Sequence, residues 1–212
     1  MIRKDAHEET IEIDLEELLS APAQIVQPEL LEQHCRLNNR EIVIDDCIDE
    51  YGIDPAMYIQ KWNKEDVGIP IEERKPITIW INSDGGDLAT TLFTANVIAL
   101  SKTPVVTIGM NKIYSSGGLL LMAGHRRLIF ETTTLLIHDG SCGMVGDTGK
   151  VFDNLEFMRE MERKANSYML SHTKIPAELL ESQYRKDWFM FSDDIIKYGV
   201  ADEIITDLDD IA

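Results

Sequence analysis

Three residues of this chain have the types and the order that acyl transfer needs: Ser115, His138 and Asp187. A serine hydroxyl is a weak nucleophile until a base takes its proton. An imidazole does that best in one tautomer, and a carboxylate fixes that tautomer. Two backbone N–H groups must also face the developing oxyanion, and Gly86 and Ser116 stand where they can supply them. Each residue also has an ordinary explanation. Ser115 and Ser116 can cap a helix, His138 can be a hydrogen-bonded strand-end histidine, and Asp187 can be a cap or a surface carboxylate. Chain order alone does not bring the three together.

The elements that must position them are readable in outline. Glu41–Ile44 reads as a first strand, and Asp54-Pro55 as an N-cap with proline in the first turn of a helix from Ala56 to about Asp66. Ile77–Ile81 is a strand by residue type, and Asn82-Ser83-Asp84-Gly85-Gly86 a tight turn. Leu88 to about Ser101 follows as a helix with Leu88, Leu92, Ala95, Ile98 and Ala99 on one apolar stripe. Val105–Met110 is the next strand and Ser116–Gly124 the next helix. Strand alternating with helix implies a parallel sheet, whose strand ends present ligands. Leu128–Phe130 and Thr134–Ile137 add two strands, the second ending at His138. The glycine-bearing stretch from Asp139 to Gly149 leads into a long helix, Val151 to about Ser171. Its apolar residues spread over more than one face, so it is either deeply buried or a subunit contact, and its methionines suit an adaptable interface. Pro176–Lys186 reads as a helix directly followed by Asp187, Ser192 as the N-cap of a short helix, and Glu203–Ile205 as a last strand before an acidic tail. Residues 1–38 read as an acidic arm and 39–212 as the compact domain.

Composition narrows the function classes. The 212 residues suit one large domain or two small ones, and can bury a sizeable core. A net charge of −18 argues against nucleic acid, which needs clustered lysine and arginine. Cys35, Cys47 and Cys142 lack paired spacing, which suits a reducing compartment, and no ligand set suggests a metal. No signal peptide and no apolar run of about 20 residues is visible. These features lead us to expect a cytoplasmic protein with no membrane partner.

Taken together, Ile81-Asn82-Ser83-x-Gly85-Gly86, Ser115-x-Gly117 with Leu120-Leu121-x-Ala123-Gly124, Ile137-His138, and Asp187-x-Phe189 with Tyr198-Gly199-Val200-x-Asp202 resemble the ClpP family, the proteolytic subunit of the ATP-dependent Clp protease. The resemblance runs from about Arg40 to Ile205. It implies an α/β fold, the ClpP/crotonase-like spiral of ββα units, with a protruding long handle helix at about 150–171. It also implies a self-compartmentalising serine endopeptidase acting on unfolded proteins and short peptides. In that reading Ser115 is the nucleophile, His138 the general acid/base and Asp187 the orienting carboxylate. The N–H groups of Gly86 and Ser116 form the oxyanion hole. Gly85 and the stretch Asp139, Gly140, Ser141, Cys142 and Gly143 bind substrate, the latter as a glycine-bearing strand. The implied partners are further copies of the chain, in two stacked rings of seven, and an AAA+ unfoldase. That unfoldase uses ATP, and the subunit itself needs no cofactor.

The sequence departs from the family at several points. Asp84 stands where the family usually has proline, Ser116 where it has methionine, and Asp139-Gly140 where it has Gln-Pro. Asp84 and Asp139 are expected to add negative charge near the cleft. The acidic arm is longer than usual, which fits a divergent or phage-borne member. Alternatives on the same fold are a catalytically silent subunit of a mixed barrel, a phage head-maturation or signal-peptide-peptidase-like protease, and a crotonase-like acyl-CoA enzyme.

Overall fold

β-branched residues at alternate positions dictate the central strand. In Ile77–Ser83 the side chains of Ile77, Ile79, Ile81 and Ser83 are buried and those between them only half so. That pattern is expected of a strand covered on one face more fully than the other. The computed structural model describes residues 28–49 and 52–211, so expectations for residues 1–27 lie outside the described residues. Contacts divide the chain into Met1–Asn39 and Arg40–Ala212. In the first unit, Pro28–Asn38 forms helix α1, which buries none of its residues and carries an Arg36–Glu32 ion pair one turn apart.

In the second unit, β1 (Glu41–Ile44), β2 (Ile77–Ser83), β3 (Val105–Tyr114), β4 (Arg126–Ile129) and β7 (Glu203–Ile204) lie side by side in that order, all parallel. β3 is ten residues long and changes partner along its length. Val106–Gly109 pair with β4, and Lys112–Tyr114 pair with β5 (Thr134–Ile137). β2 follows this bend through a register shift between Ile81 and Ser83. β6 (Trp188–Met190) then adds to β5 antiparallel. The expected end of β3 at Met110 is therefore four residues short. Asn111 and Lys112 hid the continuation, because a strand that leaves one neighbour for another can carry polar residues.

Helices α2 (Asp54–Glu65), α3 (Leu88–Leu100) and α4 (Ser116–Ala123) cross between these strands. Asp54 is the first helical residue of α2 rather than its cap. Ile53 takes the cap position without a side-chain bond, and Asp54 places its charge in the first turn, where the helix dipole favours it. The true side-chain cap is Asp87, which accepts from the Thr90 N–H at 2.7 Å and starts α3. The buried face of α3 is Thr90, Thr91, Thr94, Ala95 and Ile98, so the expected apolar stripe holds at Ala95 and Ile98, while Leu88 and Leu92 are half-buried and Ala99 is exposed. Thr91 bonds its hydroxyl back to the Asp87 carbonyl at 2.7 Å, so its polar group is satisfied inside the helix and its methyl can pack.

Every residue of α4 is buried. Helix α5 (Thr148–His172) is the reverse: among its 25 residues only Ala165 and Met169 are buried. This excludes the deeply buried reading of the long helix. Its first four turns project from the body, with Phe152 66% and Phe157 60% exposed. Helix α6 covers only Ala177–Ser182, and α7 runs Ser192–Lys197. Ser192 is the first residue of α7 and not its cap; its hydroxyl donates to Glu131.

One buried ionic cluster ties the body together. The Arg40 guanidinium, on a residue at φ 61°, grips both oxygens of Asp66 at 2.7 Å, and the Thr103 hydroxyl donates to the same carboxylate at 2.7 Å. Hydrogen bonding to Arg40 holds the Asp66 carboxyl below the usual carboxylate range, against the cost of its burial.

Candidate active site

Ser115 sits where β3 turns into α4, with φ 51° and ψ −120°. A non-glycine residue held there costs on the order of 1–3 kcal/mol and persists only where its surroundings over-determine it. Two bonds pin it. The Ser115 N–H donates to the Leu136 carbonyl at 2.8 Å, and the Ser115 carbonyl accepts from Gly118 at 3.0 Å. A strained serine at a strand-to-helix turn is the local geometry of a nucleophile elbow.

The Gly85-Gly86 turn lies against this elbow. Gly85 has φ 103°, and a methyl on it would meet the Ser115 Cβ at 2.7 Å. Gly86 has φ 147°, and a methyl there would meet the Ile48 carbonyl oxygen at 2.0 Å. Backbone bonds from Ile48 to Gly85 (2.8 Å) and from Asp87 to Ile48 (2.6 Å) stitch this turn to the chain beyond β1. The Ser116 hydroxyl donates to the Gly86 carbonyl at 3.1 Å, so the two expected oxyanion residues are in direct contact. Among the described residues, the N–H groups of Gly86 and Ser116 meet no acceptor.

His138 follows β5 directly and is half-buried. Asp187 is exposed and precedes β6. It is not at a helix end, because α6 stops at Ser182 and a turn spans 183–186. The antiparallel register pairs Leu135 with Met190, Leu136 with Phe189 and Ile137 with Trp188. His138 directly follows and Asp187 directly precedes the last pair of this ladder, so the fold brings both to the same end of the β5–β6 pair. On the other side of β5, Tyr114 pairs with Leu136, which puts Ser115 one residue from the level of His138. Among the described residues, no hydrogen bond joins the Ser115 hydroxyl, the His138 ring and the Asp187 carboxylate. Catalytic hydrogen bonds are commonly long before substrate binds.

The stretch after His138 is irregular: residues 138–147 form no strand, contrary to the expectation of a glycine-bearing strand at Asp139–Gly143. Gly140, Ser141, Cys142 and Gly143 are exposed there, and among the described residues no strand pairs with them. The two unusual acids are also less free than their positions suggest. Lys112 pairs with Asp84, which holds the lysine ammonium above its usual range. The Asp139 carboxylate accepts the Arg185 N–H at 2.8 Å.

Sequence reasoning missed β6, Lys112 and Arg185 as parts of this region. The signal for β6 was the β-favouring Trp-Phe-Met run just after a turn. Among the described residues, no group of three or more His, Cys, Asp or Glu is placed to hold a metal ion, and no helix is long and apolar enough to cross a membrane.

Comparison with known proteins agrees with this architecture. The chain is 30% identical over 131 residues to the ATP-dependent Clp protease proteolytic subunit of Deinococcus radiodurans, a match covering 61% of this chain and 64% of that relative. It thus spans just under two thirds of the length of the curated relative it matches. The family profile described as Clp protease matches residues 70–207, from before β2 to beyond β7 and so across the serine elbow, β5 and β6. With the parallel sheet, the strained serine turn and the projecting helix all inside or bordering that span, the chain belongs to the Clp protease family.

Proposed function

We propose that the chain is a serine endopeptidase that works through Ser115, His138 and Asp187. The observation that supports this is the strained Ser115 elbow, bonded to β5, the strand that leads into His138 and that pairs at Ile137 with Trp188, the residue after Asp187. In the reaction His138 takes the Ser115 hydroxyl proton as the oxygen attacks the peptide carbonyl carbon. Asp187 holds the imidazole in the tautomer that can accept it. The oxyanion lies toward the Gly86 and Ser116 N–H groups, whose field is strengthened by the start of α4. The imidazolium then protonates the departing amine, leaving an acyl ester on Ser115. Water, deprotonated by the same imidazole, releases the acid and restores the hydroxyl.

Compartmentalisation belongs to the same proposal. The projecting half of α5, with Phe152 and Phe157 exposed, suits a contact between two rings of this chain. An AAA+ unfoldase would feed unfolded polypeptide to the enclosed serines in the cytoplasm, using ATP there and not in this subunit. Gly85 and the segment Asp139–Gly143 would line the path of the substrate. Turnover of short fluorogenic peptides tests the chemistry: it is expected to vanish in Ser115→Ala, and unchanged turnover overturns the proposal.

A second reading, a silent subunit of a mixed barrel, is favoured by the exposure of Asp187 and by the missing bonds between the three side chains. It predicts that the assembled protein resists a fluorophosphonate probe, whereas the first predicts labelling.

A further inference from the structure

The link between Asp139 and Arg185 holds the two chain segments that carry the histidine and the aspartate. Asp139 immediately follows His138, and Arg185 lies two residues before Asp187. The strand pairing ends at Ile137 and Trp188, so no ladder bond fixes the residues beyond them. Past that point the Asp139 carboxylate takes over, accepting the Arg185 N–H at 2.8 Å. The turn it grips is unusual. Arg185 is held at φ 64°, a left-handed conformation that a side-chain-bearing residue rarely adopts. A carboxylate bonded to a backbone N–H is a strong local restraint. The bond therefore closes a small ring of chain around the His138–Asp187 step.

We propose that Asp139 is a positioning residue for catalysis: its carboxylate caps the Arg185 N–H and thereby keeps Asp187 facing the His138 imidazole. This rests on the triad reading above and revises the expectation that Asp139 contacts substrate. It also gives a role to the aspartate directly after the histidine. Arg185 contributes its backbone alone; its guanidinium lies over the Tyr184 ring, 5.2 Å from the centroid.

The test uses the full-length assembled protein and short fluorogenic peptides, with Ser115→Ala, Asp139→Ala and Asp139→Asn. Loss of turnover in Ser115→Ala validates the site; if it keeps full turnover, the triad reading fails and this inference with it. Given that loss, Asp139→Ala is expected to lower kcat by roughly 10–100-fold, the scale of a misplaced catalytic group, with KM changed less than about twofold. Asp139→Asn keeps an acceptor oxygen and is expected to recover most of kcat. A raised KM at unchanged kcat in Asp139→Ala would instead make Asp139 a substrate contact and overturn the proposal. So would wild-type kcat in Asp139→Ala, or an Asp139→Asn variant as impaired as Asp139→Ala. Thermal melting and particle mass are read on each variant. A kcat loss that tracks a fall in either one counts against positioning.

Discussion

The backbone N–H of Ser115 donates to the carbonyl of Leu136 at 2.8 Å, and this one bond couples the serine turn to the strand that leads into His138. Because β3 has already left β4 by that point, the bond belongs to the short second ladder formed by β3, β5 and β6. The candidate site thus sits on a branch of the sheet rather than on its main plane.

The glycine turn beside the serine is expected to tolerate no side chain. In Gly86→Ala the new methyl would lie 2.0 Å from the Ile48 carbonyl oxygen, and no backbone oxygen can give way without moving the strand-like segment it belongs to. The φ of 147° adds a conformational cost of about 1–3 kcal/mol. Peptide turnover should be abolished and the melting temperature lowered. A fully active, equally stable Gly86→Ala would show that the turn is not built as described.

The Arg40–Asp66–Thr103 cluster should contribute to the acid limb of stability. Asp66 has a lowered pKa in the folded state, chiefly through its hydrogen bonds with Arg40. Its contribution is therefore complete above the ordinary carboxylate value of about 3.9. It drains away as pH falls through the lower folded value. Asp66→Ala leaves Arg40 without its main partner and is expected to cost roughly 3–5 kcal/mol near neutral pH. Urea unfolding at a series of pH values checks both the size and the direction.

Thr94 offers the opposite test. Its hydroxyl is buried in α3 without a hydrogen-bond partner. Thr94→Val keeps the shape and removes the unpaired group, so stability should stay level or rise by about 1 kcal/mol. A clear loss in urea unfolding would mean that the hydroxyl has a partner in the assembled protein.

How much of this could be read beforehand differs by element. Thr134–Ile137 and the serine helix were legible because local signals agree there: β-favouring residues in one, an aliphatic run after a glycine pair in the other. The order Ser115, His138, Asp187 was visible too. What the chain order could not convey is the pairing of β6 with β5, a contact between segments some fifty residues apart made by only three residues. Asp187 consequently reads as a helix end until that ladder is seen. The threonine face of α3 was hidden for a different reason: periodicity counts Thr as polar, whereas a threonine such as Thr91, its hydroxyl bonded back to the Asp87 carbonyl, can be buried and pack its methyl. Asp84 and Asp139 looked like free charge because their partners, Lys112 and the Arg185 N–H, are distant in sequence.

The projecting half of α5 should matter to assembly and little to folding. Phe152→Ser and Phe157→Ser remove exposed rings, so each chain should unfold within about 0.5 kcal/mol of the parent. Native mass spectrometry of the double variant is expected to show smaller particles. Particles of parental mass would remove this helix from the interface.

The central claim is that Ser115 is an activated nucleophile served by His138 and Asp187. Intact-mass measurement after reaction with a fluorophosphonate tests it most directly. The account expects one adduct per chain, mapped by peptide sequencing to Ser115, absent in Ser115→Ala and formed at least about 100-fold more slowly in His138→Ala. An adduct that persists in Ser115→Ala, or that forms as fast without the histidine, would contradict it.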